Sequence, residues 1–416
     1  MTLSFGERLE QARRAMTTVC VTGTNGKTTT TSMIEAIVAA SGEAAARVTT
    51  LGAWVGGEQV AAEATSDAFL DAMERAAARG VKTAAIETTS QALAEGFAAM
   101  WPARVAVFTN LSRDHLDYHG TPEDYLAAKA QLFMRIEAGG VAVLNAADPS
   151  SALLDEVTPP GVSRRGYAAR AVDGACVRLP LTLEAEQVSV SRAGTRIRLA
   201  GSRLGDALGR ELALRVLGEV HAENALGAAV AADALGYASA AIRAGLEGFA
   251  GVPGRFQLVL DRPLVVVDFA HTPDALERTL SLARSLVAAD GGRVVCVFGC
   301  GGERDQGKRA EMGRVAGRSA EVVVLTSDNP RSEDPEAILR AILEGTAGTP
   351  ASVERELDRA VAIRRGIELA SPYDIVVIAG KGHEQTQIWG KRALPFDDVA
   401  VVRAVGRAGP SEGDLS

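Results

Sequence analysis

An α/β chain in two successive units is what this sequence predicts, and three observations predict it. Short apolar runs rich in Val and Ile alternate with helix-patterned segments from residue 18 to about 146. A glycine-bracketed polar loop follows the first of those runs, and after Gly251-Val252-Pro253-Gly254 the alternation starts afresh. Strand–helix alternation favours parallel sheets, because parallel neighbours need a crossover long enough to hold a helix.

The elements follow in order. Runs at 18–22, 82–86, 104–109 and 141–145 are short and apolar, as strands buried on both faces are, and helical periodicity marks 66–80 and 122–138. Residues 160–216 change character. Val188, Val190, Ile197 and Leu199 alternate with polar residues between turns at Gly194 and Gly201, so a small antiparallel meander is expected. A helical stretch returns at 221–249. The Gly-Val-Pro-Gly segment marks the expected boundary, dividing 1–253 from 254–416. Strands at 264–268, 293–298, 321–326 and 374–379 then define a second α/β unit, and the polar tail from Gly406 is expected to fray.

At 416 residues and 47% hydrophobic, the chain can bury two or three cores. A net charge of −8 without any basic stripe excludes a nucleic-acid partner. Cys20, Cys176, Cys296 and Cys300 form no CxxC pair, which fits reduced thiols in a cytoplasmic protein. No apolar run nears the roughly 18 residues of a membrane span, and the charged, amphipathic Met1–Met16 segment is not a signal peptide. A soluble cytoplasmic monomer with small-molecule substrates and no membrane partner is the expectation.

The densest chemistry lies after the first strand, in Thr22-Gly23-Thr24-Asn25-Gly26-Lys27-Thr28-Thr29. Gly23 and Gly26 let backbone N–H groups turn inward and make an anion cradle at a helix N-terminus near Lys27. Lys27 is then placed as a point charge for the β- and γ-phosphates of a nucleotide, and the Thr28 hydroxyl as a ligand for Mg²⁺. Counted from Gly23, the spacing is shorter than the G-x-x-x-x-G-K-[ST] pattern. A second cluster, Thr109-Asn110-Leu111-Ser112-Arg113-Asp114-His115-Leu116-Asp117-Tyr118-His119, follows the strand at 104–108. Polar residues at the C-terminal ends of parallel strands line the crevice where α/β proteins bind ligands. Glu87 ends another strand in the same way. Lys129, on an Ala-rich helix, reads by itself as a surface lysine, and for Asp268 and His271 a capped turn is the weaker alternative to a functional role.

Gly-Thr-Asn-Gly-Lys-Thr-Thr, the Thr109–His119 cluster, Val-Pro-Gly-Arg-Phe at 252–256 and Asp-Phe-Ala-His-Thr-Pro-Asp-Ala-Leu at 268–276 together resemble the Mur ligase family. Gly-Cys-Gly-Gly-Glu-Arg-Asp-Gln-Gly-Lys-Arg at 299–309, Ser-Asp-Asn-Pro-Arg at 327–331 and Gly-Lys-Gly-His-Glu at 380–384 extend the likeness to its UDP-N-acetylmuramoyl-tripeptide synthetases. The likeness runs from about residue 16 to about 400. It implies a P-loop central ATPase domain, with a parallel sheet and a small antiparallel one, followed by a Rossmann-like C-terminal domain.

The resemblance also implies ATP-dependent amide formation. An acceptor carboxylate attacks the γ-phosphate, and an amine displaces phosphate from the acyl phosphate. By the same likeness Glu87 and His115 hold a second Mg²⁺, Lys129 is carbamoylated in support of that metal, and Asn110 positions the phosphate. Asn224 contacts adenine, Arg255 is a hinge residue, Asp268 binds ribose and His271 is a neighbouring nucleotide contact, at an ATP site completed by closure of the C-terminal domain. Arg304, Asp328, Asn329, Arg331, Gly380 and Glu384 match contacts to the incoming amino acid, with Arg331 gripping the distal carboxylate of meso-diaminopimelate.

Two departures from the family pattern stand out. Only about 16 residues precede the first strand, where typical members carry a UDP-gripping domain. Segments that touch the acceptor in the family stand here as Ala64-Thr65-Ser66 and Thr89-Ser90-Gln91, and Phe269 replaces a tyrosine. The expectation is therefore ligation of diaminopimelate to a glutamyl carboxylate of a cell-wall precursor. The alternative is the same chemistry on an acceptor without UDP, as in cyanophycin, cofactor or specialised-metabolite ligases. A non-catalytic nucleotide-binding regulator is disfavoured by retention of Lys129, Glu87, His115 and Arg331 together.

Overall fold

The computed structural model describes residues 4–63, 65–112, 114–170 and 179–408. Ala64, Arg113, Cys176 and the tail from residue 409, all named above, lie outside the described residues. The chain divides into two compact units, Met1–Ala250 and Gly251–Ser416.

The first unit is built on one mixed sheet. Its strands are β1 (Thr17–Thr22), β2 (Ala45–Thr49), β3 (Gly52–Val55), β4 (Glu58–Ala61), β5 (Thr83–Glu87), β6 (Val105–Phe108), β7 (Val141–Asn145), β8 (Ser163–Ala168), β9 (Leu181–Ser191), β10 (Gly194–Leu199) and β11 (Glu211–Leu214). They lie in the order β11-β10-β9-β8-β7-β6-β1-β5-β2-β3-β4. β1 runs parallel to both β5 and β6, with Val21 beside Glu87 and Thr22 beside Phe108. Cys20, Ile86, Phe108 and Leu144 from these strands meet Leu132 and Phe133 of the helix Pro122–Met134 in one core. Burial on both faces explains why these strands read as continuous apolar runs.

Two expectations need correction. The meander at 160–216 is not a separate sheet: β8 pairs parallel with β7, and β9 parallel with β8, before β9, β10 and β11 turn antiparallel. It therefore extends the main sheet at its edge, since the sheet-edge N–H and C=O groups of β7 and β8 need partners. The helical stretch at 221–249 consists of two helices, Glu219–Leu235 and Ser239–Gly248, because Gly236 turns left-handed at φ 90° and caps the first. Gly406 and Arg407 belong to the closing helix Asp398–Ala408 and not to the tail; Gly406 lies so close to Leu260 that an added Cβ would come within 2.7 Å of it.

The second unit repeats the logic. Strands β12 (Gln257–Asp261), β13 (Leu264–Asp268), β14 (Val294–Phe298), β15 (Val322–Leu325), β16 (Ser352–Arg355) and β17 (Ile375–Ala379) order as β12-β13-β17-β14-β15-β16. All neighbours are parallel except β12 and β13. A hairpin of β18 (Thr386–Trp389) and β19 (Arg392–Pro395) follows β17. Because β17, β14 and β15 are adjacent, with Ala379 and Leu325 on either side of Phe298, the segments leaving their C-terminal ends converge. Cys20, Cys296 and Cys300 are buried free thiols.

The helix Lys27–Ala40, which carries the glycine loop's lysine and threonines, is held from behind by the helices Glu219–Leu235 and Ser239–Gly248. At Gly245 an added Cβ would lie 2.4 Å from the Cα of Ile37, closer than any side chain tolerates. Gly245→Ala should therefore push the two helices apart and destabilise the unit by about 1–3 kcal/mol. Urea denaturation of both chains measures this, and an unchanged midpoint would show that the contact does not constrain the helix.

Candidate active site

The loop after β1 depends on its neighbours for its shape. Gly23, at φ 150°, lies so close to β6 that an added Cβ would sit 1.9 Å from Thr109 Oγ1, and one on Gly26, at φ 83°, would sit 2.2 Å from Asn224 Oδ1. Only glycine fits either place. Asn110 then laces the loop to β6. Its carbonyl accepts from Thr24 N at 2.7 Å, its Oδ1 from Asn25 N at 2.9 Å, and its Nδ2 donates to Asn25 O at 3.2 Å. Thr109 Oγ1 donates to Asn25 O at 2.6 Å. The Thr24 hydroxyl donates to Ser112 O and accepts from Ser112 N and from the Tyr125 hydroxyl.

The end of β5 meets the same loop. Thr28 Oγ1 donates to Glu87 Oε2 at 2.8 Å, and Thr50 N donates to the same oxygen at 3.1 Å. Thr29 is buried in the first turn, and Thr30 Oγ1 reaches Asn224 Oδ1 at 3.3 Å. Lys27 folds back, its Nζ donating to Gly23 O at 3.1 Å and Thr24 O at 2.8 Å.

Lys129 is not on the surface. It is 1% exposed, its Nζ donates to Gly23 O at 2.8 Å, and it lies 4.2 Å over the Tyr125 ring. Burial, with the Lys27 charge behind it, drives its pKa down to about 6, against the weaker pull of Asp114. At neutral pH Lys129 is thus mainly a free amine. Lys27 and Lys129 both donate to the Gly23 carbonyl, and the Lys27 charge disfavours a second charge beside it.

His115 is placed differently. It stands in a left-handed conformation at φ 53°, its side chain 57% exposed and 3.5 Å from Asp114. Among the described residues, no group of three or more His, Cys, Asp or Glu side chains gathers as a metal centre. Thr28 and Glu87 do converge, and paired hard oxygens suit Mg²⁺.

The second unit holds two further groups. Asp268 accepts from Phe256 N at 2.6 Å, Ala270 N at 2.9 Å and Thr279 Oγ1 at 3.1 Å, so its carboxylate braces the turn that carries Arg255. The Arg255 guanidinium lies 4.5 Å over the Phe269 ring, and His271 Nδ1 is 2.9 Å from Phe269 O. At the ends of β15 and β17, Asn329 Nδ2 donates to Glu384 Oε2 at 2.8 Å. Burial pushes the Asp328 carboxyl up, opposed by the nearby charges of Arg359 and Lys381. Gly380, at φ 113°, packs so near Asp328 that an added Cβ would come within 2.7 Å of its Oδ2. Arg331 also has a positive φ, 54°, and its backbone is gripped on both sides: its N–H donates to Ile388 O at 3.0 Å and its C=O accepts from Gly390 N at 2.6 Å. Its Nη1 donates to Gly302 O at 2.6 Å, and no protein carboxylate pairs with it among the described residues. Arg304 is exposed on the neighbouring loop.

Sequence reasoning missed several supports. Asn145 and Asp148 hold the β6 loop through Thr109 O and Leu111 N, each at 2.7 Å. Arg359 and Asp398 form a fully buried pair at 2.7 Å, and Arg359 also donates to Ala379 O at 3.1 Å. Each of the two is the first residue of its helix, where a charged residue carries no signal of burial.

Comparison with known proteins agrees with this geometry. Residues 21–232 match the Mur ligase middle domain, and residues 254–382 the glutamate ligase domain of Mur ligases. The chain belongs to the Mur ligase family. It is an enzyme of ATP-dependent amide ligation. Over 402 residues it is 40% identical to the UDP-N-acetylmuramoyl-L-alanyl-D-glutamate–2,6-diaminopimelate ligase of Parasynechococcus marenigrum, a match covering 92% of this chain and 76% of that protein. A solved structure of a ligase of that name aligns with TM-score 0.68 and 32% identity over 98% of this chain and 84% of that one. The fold also matches Escherichia coli FolC, solved with DHPP and ADP, at TM-score 0.70 and 21% identity, covering 97% of this chain and 91% of that one.

The depressed Lys129 value has a measurable consequence. Its folded pKa, about 6, lies below the usual value of 10.5, so between these values the unfolded chain holds the extra proton and stability rises with pH. Below about pH 6 the full penalty of burying the amine is present. Lys129→Met should raise Tm most at pH 6, with the gain shrinking towards pH 10. Calorimetry across that range reads it, and a gain independent of pH would refute the buried free amine.

Proposed function

We propose that this Mur ligase joins meso-diaminopimelate to a glutamyl carboxylate in the cytoplasm, releasing ADP. The observation that carries the reading is Arg331, a guanidinium fixed in a high-energy backbone conformation beside Asp328 and Asn329, with no carboxylate to pair with among the described residues. An amino acid with a distal carboxylate meets that need, and lysine leaves it unmet. Arg304 adds charge on the adjacent loop, and Asp328, Glu384 and the Gly380 backbone accept the amino end.

In the first unit, the backbone from Gly23 to Thr29 receives the phosphates, with Lys27 leaving its own loop carbonyls to balance their charge. Thr28 and Glu87 fit Mg²⁺, which would neutralise two approaching anions, and His115 and a carbamoylated Lys129 would support a second ion. Lys129 suits carbamoylation: as an amine it attacks CO2, the C–N bond forms, and a proton leaves to solvent. Asn110 steers the transferred phosphate and Asn224 faces the adenine; Arg255, Asp268 and His271 are further candidate nucleotide contacts.

A different acceptor from that of the named relatives is a second reading, favoured by one observation. Thr65 and Thr89 use their hydroxyls to cap helices, accepting from Ala68 N and Ala92 N at 3.2 Å each, and Gln91 donates to Glu95 at 3.1 Å. These side chains are committed locally. On this reading UDP does not contribute to acceptor binding. Free UDP should then leave the rate at sub-saturating acceptor unchanged, and competitive inhibition at micromolar UDP would restore the relatives' substrate.

The amine assignment is tested with Arg331→Ala. In ADP-release kinetics the wild type should prefer diaminopimelate to lysine by roughly two to three orders of magnitude in kcat/KM, the worth of about 3–4 kcal/mol for a paired charge. Arg331→Ala should erase most of that preference and leave the KM for ATP nearly unchanged. Equal use of both amines by the wild type would remove diaminopimelate as the substrate.

A further inference from the structure

Behind the amino-acid pocket lies a lysine that the reading above leaves without a role. Lys381 is 0% exposed, at the end of β17 between Gly380 and Gly382. Its Nζ donates to Asn329 Oδ1 at 3.0 Å and to Glu384 Oε2 at 2.7 Å. The same Asn329 oxygen accepts from Ile388 N at 2.9 Å. With both donors on Oδ1, the carboxamide has one orientation, and its Nδ2 must point to Glu384, where it donates to Oε2 at 2.8 Å. Both hydrogen bonds to Glu384 thus fall on one oxygen. No donor among the described residues reaches Oε1 of this half-buried carboxylate.

We propose that Lys381 is a positioning residue: it fixes Asn329 and Glu384 as one unit and so aims the free Glu384 Oε1 at the amino group of the incoming amino acid. The proposal rests on the pocket assignment made above and goes beyond it by naming what orients the pocket. An ammonium suits this task because it donates in several directions at once, so one buried charge orders two partners. Burial pushes the Glu384 carboxyl up, but the hydrogen bonds from Lys381 and Asn329 outweigh it and hold it ionised. The ligand therefore meets an acceptor already charged and already oriented, which lowers the ordering cost of binding.

The experiment is a double-mutant cycle on the full chain with Lys381→Met and Glu384→Gln, read in two independent ways. In ADP-release kinetics, Lys381→Met should raise the KM for the amine ten- to hundred-fold and leave the KM for ATP within two-fold. The double variant should be no worse than Glu384→Gln alone, within about three-fold. Thermal unfolding of the same four chains without substrate should show non-additive losses in Tm. Lys381→Arg, which keeps the charge and changes its geometry, should fold and restore part of the KM. Multiplicative kinetic losses, or equal increases in the KM for ATP and for the amine, would overturn the proposal. Additive Tm losses would overturn it even if the wild type ligates no diaminopimelate. Coupled Tm losses with no turnover of that amine would instead fail the substrate assignment while leaving Lys381 as the residue that orders Asn329 and Glu384.

Discussion

The carboxamide of Asn110 is the constraint on which the first unit's chemistry depends. The loop from Gly23 to Gly26 must be held against its own tendency to close into turns. Asn110 does this with both ends of one side chain, accepting from Asn25 N and donating to Asn25 O. Its own position is set by Asn145 and Asp148 one strand further on, through the carbonyl of Thr109 and the N–H of Leu111. The parallel order β5-β1-β6-β7 turns these contacts into a rigid row, because each polar group stands at the C-terminal end of a strand whose apolar body is buried. The loop's glycines are consequences of this closeness, since a methyl group at Gly23 or Gly26 would collide with Thr109 or Asn224.

The same closeness explains Lys129. A lysine whose ammonium is removed from water must lose its proton or find a counter-ion. Here the nearest neighbours are a carbonyl, the face of Tyr125 and another lysine, so the proton is lost. The second unit solves the opposite problem. Arg359, Lys381, Asp328, Glu384 and Asp398 are crowded at the ends of β15 and β17, and the fully buried Arg359–Asp398 pair ties the segment after β17 to the closing helix. Loss of one partner of such a pair costs about 3–5 kcal/mol, because the other charge remains buried. Arg331 is held at its positive φ by the hairpin β18–β19, which grips its backbone on both sides.

Much of this was legible in the chain. Apolar runs bounded by glycine and polar residues located β1, β5, β6, β7, β13, β14, β15 and β17 to within a residue or so at each end. The glycine loop was legible because its chemistry is local: residues 23–29 are contiguous, and a helix must begin where the β-branched run ends. The cluster at 109–119 was legible as unusual polar density after a strand, and the segments at 328–331 and 380–384 through their likeness to the Mur ligases. What the pattern misread was longer in range. The β8–β9 parallel pairing depends on which sheet edge is available, and periodicity within 160–216 carries no record of that edge.

By itself, then, the sequence determined the two α/β units, the glycine loop after the first strand and the identity of the residues at the strand ends, because each follows from local periodicity and from spacing along the chain. Tertiary structure alone decided that Lys129 is a buried amine and not a surface cation, that Asn110 laces a loop some eighty-five residues away, and that Lys381 lies at 0% exposure between Asn329 and Glu384. These are matters of dielectric and direction. Burial, pKa and the orientation of a carboxamide are set by what packs around a side chain, and that packing exists only once distant strands have been brought side by side.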